Sequence, residues 1–146
     1  MSALLKFCFI LFGLIGLYSL SSAQMQSDAA VLNNSMQKID VQVGSGAEVK
    51  TGNTVVVHYT GWLYDPLAVR EHGAKFDSSV GGPPFTFQVG ASRVIKGWDL
   101  GLVGMRVGGK RTLIIPPELA YGRRGSGMQI GPNAELVFDI ELIGIK

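Results

Sequence analysis

Along this chain the apolar positions fall into several short strand-like runs and a single stretch of helical spacing. Lys38 to Val43 alternates Ile39, Val41 and Val43 with Asp40 and Gln42, the two-residue period of a half-buried strand, and Gly44-Ser45-Gly46 ends it as a turn. Thr54 to Leu63 is rich in β-branched and aromatic residues and reads as a second, longer strand. An exposed loop over Tyr64–Gly73 precedes short strands at Lys75–Ser78 and Phe85–Gln88, which Gly81-Gly82-Pro83-Pro84 separates. Lys110–Ile115 is a further strand, stopped by Pro116-Pro117. In Glu135–Ile143, Leu136, Phe138, Ile140 and Leu142 alternate with more polar neighbours, which predicts the last strand.

Arg93 to Met105 differs in kind. Val94, Ile95, Trp98 and Leu102 share one helical face, but Gly97, Gly101 and Gly104 each lower helix propensity by about 1 kcal/mol relative to Ala. A helix here is short and held by packing rather than by its own propensity. Strands with one helix predict an α+β domain, an antiparallel sheet wrapped on that helix.

The N-terminus changes the picture of where the protein works. Lys6 and the amino terminus supply positive charge, Phe7–Leu17 carries none, and Ser21-Ser22-Ala23 places small residues where a signal peptidase reads. The apolar run is short of the ~20 residues a spanning helix needs, so residues 1–23 read as a signal peptide, with an uncleaved anchor as the alternative. Residues 24–37 read as a flexible leader and 38–146 as the folded domain. Cys8, the only cysteine, would leave with the signal peptide, so the mature domain relies on its core rather than on disulfides. The C-terminal Ile143-Gly144-Ile145-Lys146 is no retention tetrapeptide, which favours periplasm or secretion over the endoplasmic reticulum lumen.

Hydrophobic residues make up 47% of the chain and charged ones 16%, enough apolar material for a core and too much for a disordered chain. A net charge of +2 argues against nucleic acid as a partner. Lys110-Arg111 and Arg123-Arg124 read as solvated surface. No G-x-S-x-G, Walker loop or G-x-G-x-x-G occurs. His58 and His72 lack metal-ligand spacing, so no metal or cofactor is expected, and His58 reads as a structural residue on the sheet's outer side. The carboxylates Asp77, Asp99, Glu118, Glu135, Asp139 and Glu141 show no glycosidase-like pairing. Large aromatics stand beside turns at Tyr59, Phe76, Phe85, Trp98, Tyr121 and Phe138. Composition alone assigns them to a core, and their spacing alone reveals no pocket.

Six blocks, in order, carry a pattern. They are Val57-His58-Tyr59-Thr60-Gly61, Lys75-Phe76-Asp77-Ser78-Ser79, Val94-Ile95-Lys96-Gly97-Trp98-Asp99, Gly104-Met105 with Val107-Gly108-Gly109-Lys110-Arg111, Ile115-Pro116-Pro117-Glu118-Leu119-Ala120-Tyr121-Gly122, and Leu136-Val137-Phe138-Asp139-Ile140-Glu141-Leu142. Together they cover nearly everything from Lys38 onward and resemble the FKBP family of peptidyl-prolyl cis-trans isomerases, in the manner of an exported bacterial member. The resemblance implies a twisted antiparallel sheet of about five strands half-wrapped around one short helix, with an aromatic pocket between them. It implies Trp98 as the pocket floor and Tyr59, Phe76, Phe85 and Phe138 as its walls. Val94 and Ile95 would border it, with the Ile95 N–H as donor to a bound carbonyl, and Asp77 and the Tyr121 hydroxyl as polar contacts. Tyr59, Asp77, Trp98, Tyr121 and Phe138 are the set implied in catalysis, and Ile130 of the flap after Tyr121 is implied in binding.

The implied partners are proline-containing polypeptides and macrolide inhibitors such as tacrolimus and rapamycin, with no cofactor, no nucleic acid, and membrane contact only through the signal peptide. The sequence departs from the family pattern in a long Tyr59–Phe76 connection, in the absence of an Arg shortly after Asp77, and in a flap reading Met128-Gln129-Ile130-Gly131-Pro132, where Gln129 and Gly131 add polarity and flexibility. The leader is too short for a helical dimerisation arm, so a monomer is expected. The rival reading is a non-catalytic module that uses the same pocket to hold proline-containing segments.

Overall fold

In the computed structural model, which describes residues 35–146, the strand-like runs assemble into one antiparallel sheet of six strands. The strands are β1 (Gln37–Gln42), β2 (Thr54–Tyr64), β3 (His72–Ser78), β4 (Phe85–Gln88), β5 (Lys110–Ile115) and β6 (Leu136–Ile145). The order across the sheet is β1-β5-β6-β2-β3, and β4 pairs β2 beyond the end of β3. Among the described residues a single α-helix, α1 (Lys96–Gly101), lies against β5, with 3-10 turns at Val69–Glu71 and Pro117–Leu119. The expected signal peptide and nearly all of the expected leader lie outside the described residues, although β1 begins at Gln37, one residue inside that leader.

Alternation decides which face is the core. Val55 and Val57 of β2, Leu113 and Ile115 of β5, and Phe138, Ile140 and Leu142 of β6 are all buried in one cluster with Trp98 and Leu102. The helix can approach this face because Gly97 and Gly101 carry no side chain. A Cβ on Gly97 would stand 2.5 Å from Ile115 Cγ2, and one on Gly101 2.5 Å from Leu113 Cδ1. The glycines that weaken α1 as an isolated helix are therefore what seats it on the sheet.

Three sequence expectations change here. The helix is shorter than its apolar spacing suggested, so Val94 and Ile95 precede it in non-helical backbone, with Ile95 as its N-cap. β1 is exposed along its whole length, with Ile39 45% and Val41 57% exposed instead of half-buried, and Val43, just past its end, is 75% exposed. Its polar side chains make the inward contacts. Lys38 donates to the Leu100 carbonyl (2.7 Å), and Asp40 accepts from the Arg111 guanidinium (2.7 and 3.2 Å). Arg111 is the third correction: it is buried rather than solvated, and its Nη1 donates to the carbonyls of Gly101 (2.8 Å) and Val103 (3.1 Å). The last carbonyls of a helix have no intrahelical partner. Two cations reaching them from β1 and β5 satisfy them, and Asp40 holds the buried guanidinium in a pair, its own carboxyl lowered below the usual range by that hydrogen bond.

Candidate functional site

The inner sheet face and the start of α1 enclose a hollow of about 210 Å³, lined by aromatic side chains with Asp77, Arg93, Val94, Ile95 and Tyr121 at its edges. Trp98 projects from the first turn of α1 and is 5% exposed. Its ring meets Tyr59 edge-on at 4.9 Å and Phe138 at 5.3 Å, while Phe87 packs against it at 5.5 Å. Phe76 stands edge-on to Phe138 at 5.5 Å, and Phe85 to Tyr59 at 6.0 Å. Gly61 makes room for the wall, since a Cβ there would lie 2.7 Å from both Phe76 and Phe138. The indole Nε1 of Trp98 is buried with no hydrogen-bond partner among the described residues, a polar atom at the base of an otherwise apolar floor.

The polar groups are fixed by strand pairing. Tyr59 donates its hydroxyl to Asp77 Oδ2 at 2.6 Å, and the Ser78 N–H donates to Oδ1 at 2.8 Å. The Tyr59 backbone is clamped by the segment after Asp77: its N–H donates to Ser79 Oγ (3.0 Å), and its carbonyl accepts from the Ser79 N–H (3.0 Å). Burial, then the hydrogen bond to Asp77, raises the Tyr59 phenol well above its usual range, and burial followed by the Asp77 charge raises Tyr121. Both hydroxyls keep their protons at neutral pH. Tyr121, half exposed at the rim, makes no side-chain hydrogen bond among the described residues.

The structure gathers Tyr59, Phe76, Asp77, Phe85, Val94, Ile95, Trp98, Tyr121 and Phe138 around this one hollow. Ile130 is not part of the lining. It is buried in the core, where its backbone exchanges two hydrogen bonds with Ser126, leaving Met128 at the turn's tip fully exposed. Two contributors were not legible as site residues. Arg93 lines the hollow, and Asp99 sets the approach to α1 by accepting the N–H groups of Gly90 (2.8 Å) and Ser92 (3.1 Å). Asp99's place inside the Val94–Asp99 block was the available signal.

A larger hollow of about 280 Å³ lies on the sheet's outer face, beside His58, Thr60, Arg70, Lys110, Asp139 and Glu141. Its charges already pair, Arg70 with Asp139 (3.8 Å) and Lys110 with Glu141 (3.9 Å), and His58 is hydrogen-bonded to Ser79 (3.0 Å). It lacks the cluster of aromatic rings that walls the inner one. Among the described residues no cluster of three or more His, Cys, Asp or Glu could hold a metal ion.

Residues 45–143 match the family described as FKBP-type peptidyl-prolyl cis-trans isomerase. The chain is 44% identical over 143 residues to FK506-binding protein 2 of Dictyostelium discoideum, covering 97% of this chain and 98% of that one. It is 49% identical to an FK506-binding protein of Neisseria meningitidis over 107 residues, 73% of this chain and 92% of the relative. It spans under a third of the FK506-binding nuclear proteins it also matches. The crystal structure of AtFKBP13 superposes with a TM-score of 0.66 at 44% identity, over 76% of this chain and 93% of that one.

Proposed function

This chain belongs to the FKBP-type peptidyl-prolyl cis-trans isomerase family, and from that premise we propose that its aromatic hollow catalyses X-Pro isomerisation by stabilising the twisted imide without covalent chemistry. The supporting observation is the hollow itself: six aromatic rings around about 210 Å³, two of them protonated phenols, with a carboxylate at the edge. Rotation about an X-Pro bond meets a barrier of about 20 kcal/mol because it breaks amide resonance. The twisted state has lost charge separation between oxygen and nitrogen, so an apolar site favours it over the planar ground state. A proline ring on Trp98, walled by Tyr59, Phe76, Phe85 and Phe138, places the rotating bond in that site. The Ile95 N–H and the Tyr121 hydroxyl hold the client's carbonyls, and Asp77 fixes the Tyr59 ring.

The same hollow is the proposed site for tacrolimus or rapamycin, and all its walls come from one chain, in keeping with a monomer. The charge-free run over Phe7–Leu17 and the small residues before Gln24 support work in an export compartment, where slow prolyl steps of tens of seconds limit folding. Full-length protein, residues 1–23 included, retained in the cytoplasm would sink that placement. For the chemistry, the test is isomerisation of a short peptide with an apolar residue before proline, with and without tacrolimus. Fast turnover that the macrolide blocks, and that falls sharply in Trp98→Phe, is the expected outcome. Macrolide binding by the wild-type protein with no change in the peptide's rate would overturn catalysis in favour of a peptide-holding role.

A further inference from the structure

The hollow is lined by two charged side chains in contrasting situations. Asp77 has both oxygens engaged, by Tyr59 and by Ser78. Arg93 also lines the hollow, beside Val94 and Ile95; it is exposed and makes no hydrogen bond or ion pair among the described residues. The carboxylates that form ion pairs are held elsewhere: Asp40 by Arg111, Glu48 by Arg106, Glu141 by Lys110, and Asp139 by Arg70. Asp99, the acid nearest Arg93 in sequence, has both oxygens occupied by the N–H groups of Gly90 and Ser92. Beyond Tyr121, Arg123 and Arg124 are also exposed and unpaired among the described residues. The lining of an apolar site thus carries one cation, Arg93, that no carboxylate pairs among the described residues.

Resting on the isomerase reading above, we propose that Arg93 makes the site selective for clients with an acidic residue flanking the proline, its carboxylate meeting the guanidinium while the proline ring fills the hollow. Arg93 stands two residues before the Ile95 N–H that would hold the client backbone. An extended client advances about 3.3 Å per residue, so a residue one or two positions from the proline comes within reach of a long side chain. The guanidinium fork matches a carboxylate in two-pronged geometry. The site is open, so the gain is that of an exposed pair, about two- to fivefold in kcat/KM, and salt screens it.

The test uses peptides matched except for Glu, Gln or Lys before the proline, and a second set with Glu or Gln after it. Wild-type protein, R93Q and R93E are compared at low salt and at about 0.5 M salt. At one of the two positions the wild-type protein should favour Glu over its neutral isostere Gln by about two- to fivefold, an advantage that added salt removes. R93Q should bring that ratio to about one, and R93E should turn the preference toward Lys. The ratio, rather than the overall rate, is the readout, so a general loss of activity does not imitate the result. A Glu-to-Gln ratio that neither substitution changes, in protein that turns over the Gln peptide, overturns the selectivity alone. Wild-type protein that turns over the peptide with an apolar residue before proline but none of these peptides overturns the selectivity, whereas failure on the apolar peptide as well overturns the isomerase reading.

Discussion

Replacing Gly97 by Ala sets two physical effects against each other, and the structure decides which wins. In an isolated helix the change is favourable by about 1 kcal/mol. Here the new Cβ would meet three atoms of one side chain, Ile115 Cγ2 at 2.5 Å, Cδ1 at 2.8 Å and Cγ1 at 3.1 Å. Ile115 is fully buried in the core cluster and has no open space to rotate into. Overpacking a close-packed core costs about 1–3 kcal/mol, and contacts this short belong at the upper end. The net expectation is a loss of about 1–2 kcal/mol. At an m-value of about 2 kcal/mol/M, the urea midpoint should fall by roughly 0.5 to 1 M. Because Trp98 follows Gly97 directly, lifting α1 also shifts the pocket floor, and isomerase activity should fall with it. Gly144→Ala serves as the control. Nothing lies within 4 Å of its Cβ position, so it should be neutral or mildly stabilising. An unchanged or raised midpoint for Gly97→Ala would refute the claim that glycine at this position exists for close approach.

Asp40 lies below its usual carboxylate range in the folded protein because of Arg111. Its contribution is therefore present above the ordinary value of 3.8 and lost as pH falls through the lower folded value. Asp40→Asn should lower stability at neutral pH, where it leaves the Arg111 charge buried without its partner, and the wild-type advantage should shrink in urea titrations taken from pH 6 toward pH 2. Tyr59→Phe removes the hydroxyl that holds Asp77 and should lower kcat/KM several-fold, the scale of one lost hydrogen bond of about 1 kcal/mol. With Tyr59 and Tyr121 both raised by burial, wild-type activity should stay level from pH 7 to 9. A fall across that interval would mean that one of these phenols ionises.

The strands were legible because their periods survive in the sheet. Phe85–Gln88 and Lys110–Ile115 match residue for residue, and β2 and β6 differ only at their ends. β1 misled because alternation shows only that two faces differ, not which of them turns inward. Its inward side is the polar one because α1 ends above it and its carbonyls need cations there, a requirement set by residues some sixty positions away. Arg111 was hidden for the same reason, since a basic doublet gives no sign that one member reaches under a helix. The aromatic set was visible as composition and as a family-like order of blocks, but only the β2–β6 register brings Gly61 opposite Phe138 and leaves the space between the rings. Arg93 carried no signal at all, because a lone arginine next to two apolar residues resembles any other surface position.

β6 occupies the middle of the sheet, flanked on either side by β5 and β2. It is also the last of the six strands to be synthesised. Until it emerges, β2 and β5 have no partner between them, β1 hangs on β5 alone, and the inner face that α1 covers does not exist. Such non-local pairing closes slowly, and it leaves unpaired edges in the meantime. Before β6 the earlier strands pair only as two separate pieces, β1 with β5 and β2 with β3 and β4. Those two pieces become one sheet only through β6, whose ten residues pair with β5 on one side and β2 on the other.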